Sequence, residues 1–222
     1  MNEIIQTIAV YVLPVIFAIT LHEAAHAYAA KYFGDTTAYA AGRMSINPLR
    51  HIDPFGTIVL PALMYLATSK MGMPMVFGYA KPVPIDFNRL RNPKKQMAWV
   101  ALAGPAANFV MAFGWLVIAM LLAAGQVEEV FPHAVAQAGI VVNVLMFVFN
   151  LVPIPPLDGG RILTSMLPNR YAYTFAKIEP YGFFIVLALL YFNWLNYWFV
   201  PMRALTNFVL RLIASPLNFL LS

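Results

Sequence analysis

Four uncharged stretches divide this chain: Ile4–Leu21, Met97–Val127, Val130–Leu157 (broken only by His133) and Pro180–Met202. Each reaches about 18 residues or more, the length a helix needs to cross a hydrocarbon core of roughly 30 Å. The first predicts a helix over about 2–33, stopped by Gly34-Asp35, because a glycine takes the left-handed cap conformation without penalty. The next two predict helices over about 97–124 and 133–153, and the fourth predicts one near 181–200. Residues 203–221 are apolar except for Arg203 and Arg211 and predict a returning span or a helix along the interface.

Between the first helix and the one holding Gly104-Pro105 the pattern breaks up. Residues 34–48 are polar and rich in Thr, Ser and Gly, suiting a loop or short strands. Pro54–Ser69 is apolar for only 16 residues with Pro61 at its middle, and Met71–Ala80 holds two glycines and a proline. Such text forms either a crossing helix plus a loop or a re-entrant excursion, since broken backbone at membrane depth survives only under protein or in a wet cavity. Charge favours the excursion. If residues 34–96 all lie on the cytoplasmic side, Arg43, Arg50, Lys70, Lys81, Arg89, Arg91, Lys94 and Lys95 obey the positive-inside rule; a crossing at 55–69 would put the last five outside. Glu128 and Glu129 mark an external connection, and Arg161, Arg170 and Lys177 mark the return inward. The expected fold is an all-α polytopic membrane protein, one domain over 1–222, with about five to six transmembrane helices and a re-entrant or short β/loop region before the Gly104-Pro105 helix.

Composition sharpens this reading. At 61% hydrophobic and 10% charged the chain is too apolar for an ordinary soluble domain. Its net charge of +5 sits between apolar segments, not on a basic stripe interleaved with exposed aromatics, which argues against nucleic acid. The absence of cysteine excludes disulfides, thiolate catalysis and Cys-ligated metal, so any metal must use His and carboxylate. The first positive residue is Lys31, so the N-terminal run lacks the basic start of a secretory signal and reads as a retained helix.

Inside that helix lies His22-Glu23-Ala24-Ala25-His26. Residues four apart share one helix face, so both imidazoles can reach one divalent ion while Glu23 sits beside it as a base. Ionisable groups at depth cost on the order of 2.5–3.5 kcal/mol each on insertion scales, and a bound dication is the partner that offsets this. A catalytic zinc takes three protein ligands and leaves a fourth position open. The candidate third ligand is Asp158, in the run Pro153-Ile154-Pro155-Pro156-Leu157-Asp158-Gly159-Gly160, where the prolines break the helix and Gly159 and Gly160 let the backbone turn tightly; its competing reading is an N-cap for a helix starting near Gly159. His26 lies five residues, about 7.5 Å, before Lys31, and Asp158 ends the 133–153 segment on the same side, so both sets share one depth.

His22 through His26, Ala103-Gly104-Pro105-Ala106-Ala107-Asn108, and Asn150 through Pro156-Leu157-Asp158-Gly159-Gly160 together resemble the site-2 protease family of intramembrane zinc metalloproteases, over roughly residues 8–165. Gly42-Arg43, Asn47-Pro48, Asp53-Pro54, Gly56-Thr57 and Lys81-Pro82-Val83-Pro84 resemble its compact subgroup, which lacks PDZ and CBS domains. The resemblance implies one zinc ion per chain on His22, His26 and Asp158, Glu23 as the base, and Asn108 and Asn150 near the site. It also implies transmembrane protein or peptide substrates, cut in or beside the bilayer of a prokaryotic plasma membrane on its cytoplasmic side, in regulated proteolysis or signal-peptide clearance. Zinc would bring the pKa of a water to about 7 and polarise the scissile carbonyl.

Asn108 and Asn150 are candidates to hold the oxyanion or substrate backbone, or else to act as packing and backbone donors. Residues 71–86 offer an edge for an unwound substrate strand. His51 and Asp53 read as loop structure, His133 as an external interface residue, Met71, Met73 and Met75 as flexible apolar contact, and Arg89–Lys95 as a headgroup contact. The competing functions are a zinc-binding membrane transporter, whose transit site needs no base, and a catalytically silent homologue that retains membrane partners.

Overall fold

The computed structural model describes residues 2–51, 53–59 and 81–221, and among them every regular element is helical. The principal helices are α1 (Asn2–Tyr32), α2 (Thr37–Ala40), α3 (Pro93–Ala124), α4 (Val130–Asn150), α5 (Asp158–Met166), α6 (Asn169–Ala176), α7 (Glu179–Tyr191) and α8 (Asn196–Leu221). Residues 60–80, which carry most of the expected re-entrant excursion and Met71, Met73 and Met75, lie outside the described residues; Pro54–Val59 forms one π-helical turn and a half.

The first helix stops where expected, with Gly34 at φ +111°. Helix α3 begins earlier than the hydrophobic pattern suggests. Pro93 occupies its first turn, where a missing N–H costs nothing, and the Gln96 side chain accepts from the Asn92 N–H. Helix α4 likewise spans Val130–Asn150 and not 133–153, since Pro153 forbids helix beyond the turn at Leu151. The helix expected near 181–200 is two. Helix α7 ends at Tyr191, the chain breaks at Asn193 with φ +58°, a conformation asparagine tolerates, and α8 runs unbroken through the segment 203–221.

Among the described residues three helices are long and apolar enough to span a bilayer, α1 (from Ile5), α3 and α4, with a fourth crossing if α6 and α7, bent by 68°, count as one. Helix α3 is the hub, packing against α1, α4, α5 and α8. Small buried residues, Ala18, Ala30, Ala101, Ala112 and Ala136, line the helix interfaces, which lets backbones approach where lipid offers no hydrophobic drive for association. Large apolar side chains such as Ile8, Val110, Ile118 and Phe184 face outward, and Tyr191, Phe192, Trp194 and Tyr197 crowd the α7–α8 corner as an interfacial belt would. Ala112, Val144, Val148 and Leu210 close the α3–α4–α8 core.

Candidate metal centre

Helix α1 supplies His22, Glu23 and His26 from one face, and α5 supplies Asp158 as its first residue. The three metal-ligating types meet: His22 Nε2 and His26 Nε2 lie 3.1 Å apart, and Asp158 Oδ2 lies 3.2 Å from the first and 3.3 Å from the second. All three residues are buried. Asp158 is not a cap. Leu157 holds the N-cap position with no side-chain cap bond, and Asp158 Oδ2 is buried without a hydrogen bond.

The hydrogen bonds behind the imidazoles decide what their front atoms are. Asn108 Nδ2 lies 3.2 Å from the Ala18 carbonyl oxygen, which can only accept, so the Asn108 amide presents its oxygen to His22. His22 Nδ1 therefore donates to Asn108 Oδ1 at 2.6 Å, and His26 Nδ1 donates to the Val100 carbonyl at 2.7 Å. In the neutral rings both Nε2 atoms are then bare lone pairs, aimed at each other and at a carboxylate oxygen. Three acceptors at this separation repel unless a cation lies among them. Tetrahedral zinc, with bonds of about 2.0–2.1 Å, holds its ligands about 3.3 Å apart, which matches all three edges of this triangle. A zinc ion fits these residues.

Neighbouring backbone keeps the space clear. A Cβ placed on Gly104 would lie 2.3 Å from His26 Nε2 and 2.7 Å from His22 Cε1, so the glycine of α3 forms the floor of the triangle. Gly159 and Gly160 do not turn the chain, as the sequence suggested. Both are helical, and their role is close approach: added Cβ atoms would strike the Leu151 carbonyl oxygen at 2.3 Å and the Pro155 nitrogen at 2.2 Å. Gly182 of α7 presses on Pro155 from the other side. The 151–157 turn is thus clamped and sets the position of Asp158.

Glu23 does not join the triangle. Its Oε2 accepts from the Val83 N–H at 3.0 Å, tying it to the Lys81–Asp86 segment, which is neither helix nor strand. Asp35 anchors that segment's other end, accepting from the N–H of Asp86 and from the N–H and hydroxyl of Thr37. Burial alone would push the Asp35 carboxyl up; the Thr37 and Asp86 bonds and the Arg89 guanidinium outweigh it and hold the carboxyl below its ordinary range. A depressed carboxyl stabilises the fold fully above the ordinary carboxylate pKa of about 4, and the contribution disappears as pH falls below that value through the native one. Asp35→Asn is therefore expected to lower the stability at pH 7 by about 1–2 kcal/mol, and with it the unfolding midpoint. Its deficit against wild type should shrink steadily below about pH 4 in a pH series of thermal melts; a pH-independent deficit would refute the assignment.

Asn108 has no hydrogen free for an oxyanion. Its two amide hydrogens go to the Ala18 carbonyl and to Asn143 Oδ1, and its oxygen serves His22. Asn150 bonds the Met146 carbonyl one turn back in its own helix. His51, in a turn, bonds the Ser45 carbonyl, and His133, in the first turn of α4, bonds the Val127 carbonyl. Beside the triangle a cavity of about 790 Å³ is bounded by Val83, Ile85, Met97, Pro155 and Arg161; it omits the three ligands but shares Val83 with the Glu23 contact.

The sequence model of peptidase family M50 matches residues 10–138 and 117–192. A protein of Bacillus subtilis named "Putative zinc metalloprotease YwhC" is 36% identical over 183 residues, 80% of this chain and 78% of that protein. "Putative zinc metalloprotease Rip2" of Mycolicibacterium smegmatis is 34% identical over 188 residues, 83% of this chain and 67% of the relative. No solved structure matches significantly.

Proposed function

This chain belongs to peptidase family M50, and from that premise we propose that it hydrolyses peptide bonds of membrane proteins at a single zinc held by His22, His26 and Asp158. It is an integral membrane zinc metalloprotease. The observation that carries the site assignment is the convergence of two Nε2 lone pairs and an unpartnered carboxylate oxygen in a buried triangle with edges of 3.1, 3.2 and 3.3 Å. Family membership leaves the transporter and silent-homologue readings without support.

When bound there, zinc supplies Lewis acidity for a carbonyl and acidifies a water. Glu23 is the base. Its Oε2 is held by the Val83 N–H, which leaves Oε1 to take the proton of the attacking water and deliver it to the leaving amine. Asn108 and Val100 keep both imidazoles in the tautomer that offers Nε2. The substrate, an unwound transmembrane segment, runs beside Lys81–Asp86, with the adjoining cavity taking the chain beyond the cut. Five crossings follow if α6–α7 is one broken span and α8 another, and the basic residues of 81–95, with Arg161, Arg170 and Lys177, support an active site toward the cytoplasm of a prokaryotic plasma membrane.

The test is metal removal. Purified protein is expected to carry about one zinc per chain, and in proteoliposomes a panel of single-pass proteins is expected to include one that it cuts. Stripping the zinc with a chelator should stop the cutting, and stoichiometric zinc should restore it. Cleavage indifferent to chelation would refute the proposal.

A further inference from the structure

Asn143 lies on α4, fully buried, and reaches the metal triangle not directly but through a series of bonds that ends at His22. Its Nδ2 donates to the Gly139 carbonyl at 2.8 Å, and because that carbonyl can only accept, the Asn143 amide has one orientation. Its oxygen therefore faces Asn108 Nδ2, at 3.0 Å. Asn108 in turn offers oxygen to His22 Nδ1 at 2.6 Å. Even the start of the series is anchored: Gly139 packs so tightly on the Trp115 ring that a Cβ there would come within 2.3 Å of it.

We propose that Asn143 is a positioning residue for the zinc site, holding the Asn108 amide oxygen-first against His22 so that the His22 Nε2 lone pair stays aimed at the metal. The inference rests on the metalloprotease reading above. Reversing the Asn108 amide would turn a hydrogen-bond donor toward His22 Nδ1, move the ring proton to Nε2 and remove a ligand. Two oxygens oppose that reversal, those of Ala18 and Asn143; without the second, only the Ala18 carbonyl at 3.2 Å and the weakly accepting Met146 sulfur at 4.0 Å remain. Simple adhesion between α3 and α4 is a different role with a different signature. It would act on helix association and be indifferent to which way the amides point.

The experiment measures zinc affinity, by chelator competition on the full chain in detergent, together with the unfolding midpoint of the metal-free protein. Asn143→Leu removes the accepting oxygen while filling its space, and Asn143→Ala removes it and leaves room; each is expected to weaken zinc binding about tenfold. Asn143→Asp, neutral and protonated in this buried position, keeps an accepting oxygen and is expected to stay within about threefold of wild type. In an Asn108→Ala background, Asn143→Leu is expected to cause no further loss, because its whole effect passes through Asn108. Unchanged zinc affinity in Asn143→Leu or Asn143→Ala would overturn the proposal, as would equal losses with and without Asn108, or a loss in Asn143→Asp matching that in Asn143→Leu. A wild-type chain that binds no zinc would sink the metalloprotease reading itself, a result distinct from wild-type binding that Asn143 does not influence.

Discussion

Glu23→Gln is expected to bind zinc as the wild type does and to cut a membrane substrate at least a hundredfold more slowly, up to about ten-thousandfold. The two halves of the expectation come from separate contacts. Glu23 lies outside the triangle of His22, His26 and Asp158, so amidation of its carboxyl removes no ligand. Glutamine has the same shape and still offers an oxygen to the Val83 N–H, so the Lys81–Asp86 segment keeps its tether. What disappears is the proton acceptor. Zinc content by elemental analysis and single-turnover cleavage in proteoliposomes measure the two halves on the same preparation. A variant that retains zinc and still cuts at the wild-type rate would remove Glu23 from the mechanism; one that loses the metal would make it a structural support of the site.

The parts of this site legible in sequence are those whose partners are near in sequence or whose cost in lipid is large. His22 and His26 declare themselves through helical spacing, and Asp158 through a proline-broken run at the matching depth. The remainder depends on which helix faces meet. Asn143 and Asn108 are 35 residues apart, and nothing in an apolar helix distinguishes an asparagine that orients a ligand from one that joins two helices. The sequence offers residues 71–86 as an edge for a substrate strand, but not that Val83 would hold Glu23 across 60 positions. Glycines mislead in one direction: Gly159-Gly160 reads as a turn, and only packing reveals that the missing side chains make room for the 151–155 backbone. The break at 192–195 escaped because no charge interrupts the run there, while the break itself depends on one left-handed asparagine.

The same logic makes Gly104→Ala a single-methyl change that strikes the metal site directly. Alanine is a better helix former than glycine by about 1 kcal/mol, so α3 itself should gain from the substitution. The site should not. A methyl 2.3 Å from His26 Nε2 and 2.6 Å from its Cε1 occupies the space in front of the coordinating atom. Neither ring can retreat freely, since His26 is fastened to the Val100 carbonyl and His22 to Asn108. The collision is with anchored rings, not with the flexible end of a surface side chain, so relief requires breaking one of those bonds or moving α1 away from α3. The expected result is a folded protein whose zinc affinity falls by at least a hundredfold, on the scale of disrupting the groups that orient a ligand. Gly114→Ala is the matched control: it lies on the same helix and gains the same propensity, but its added Cβ meets nothing within 4 Å, so zinc binding and cleavage should stay at wild-type levels. Zinc titration of both variants separates the two outcomes, and wild-type affinity in Gly104→Ala would show that the metal does not sit between these imidazoles.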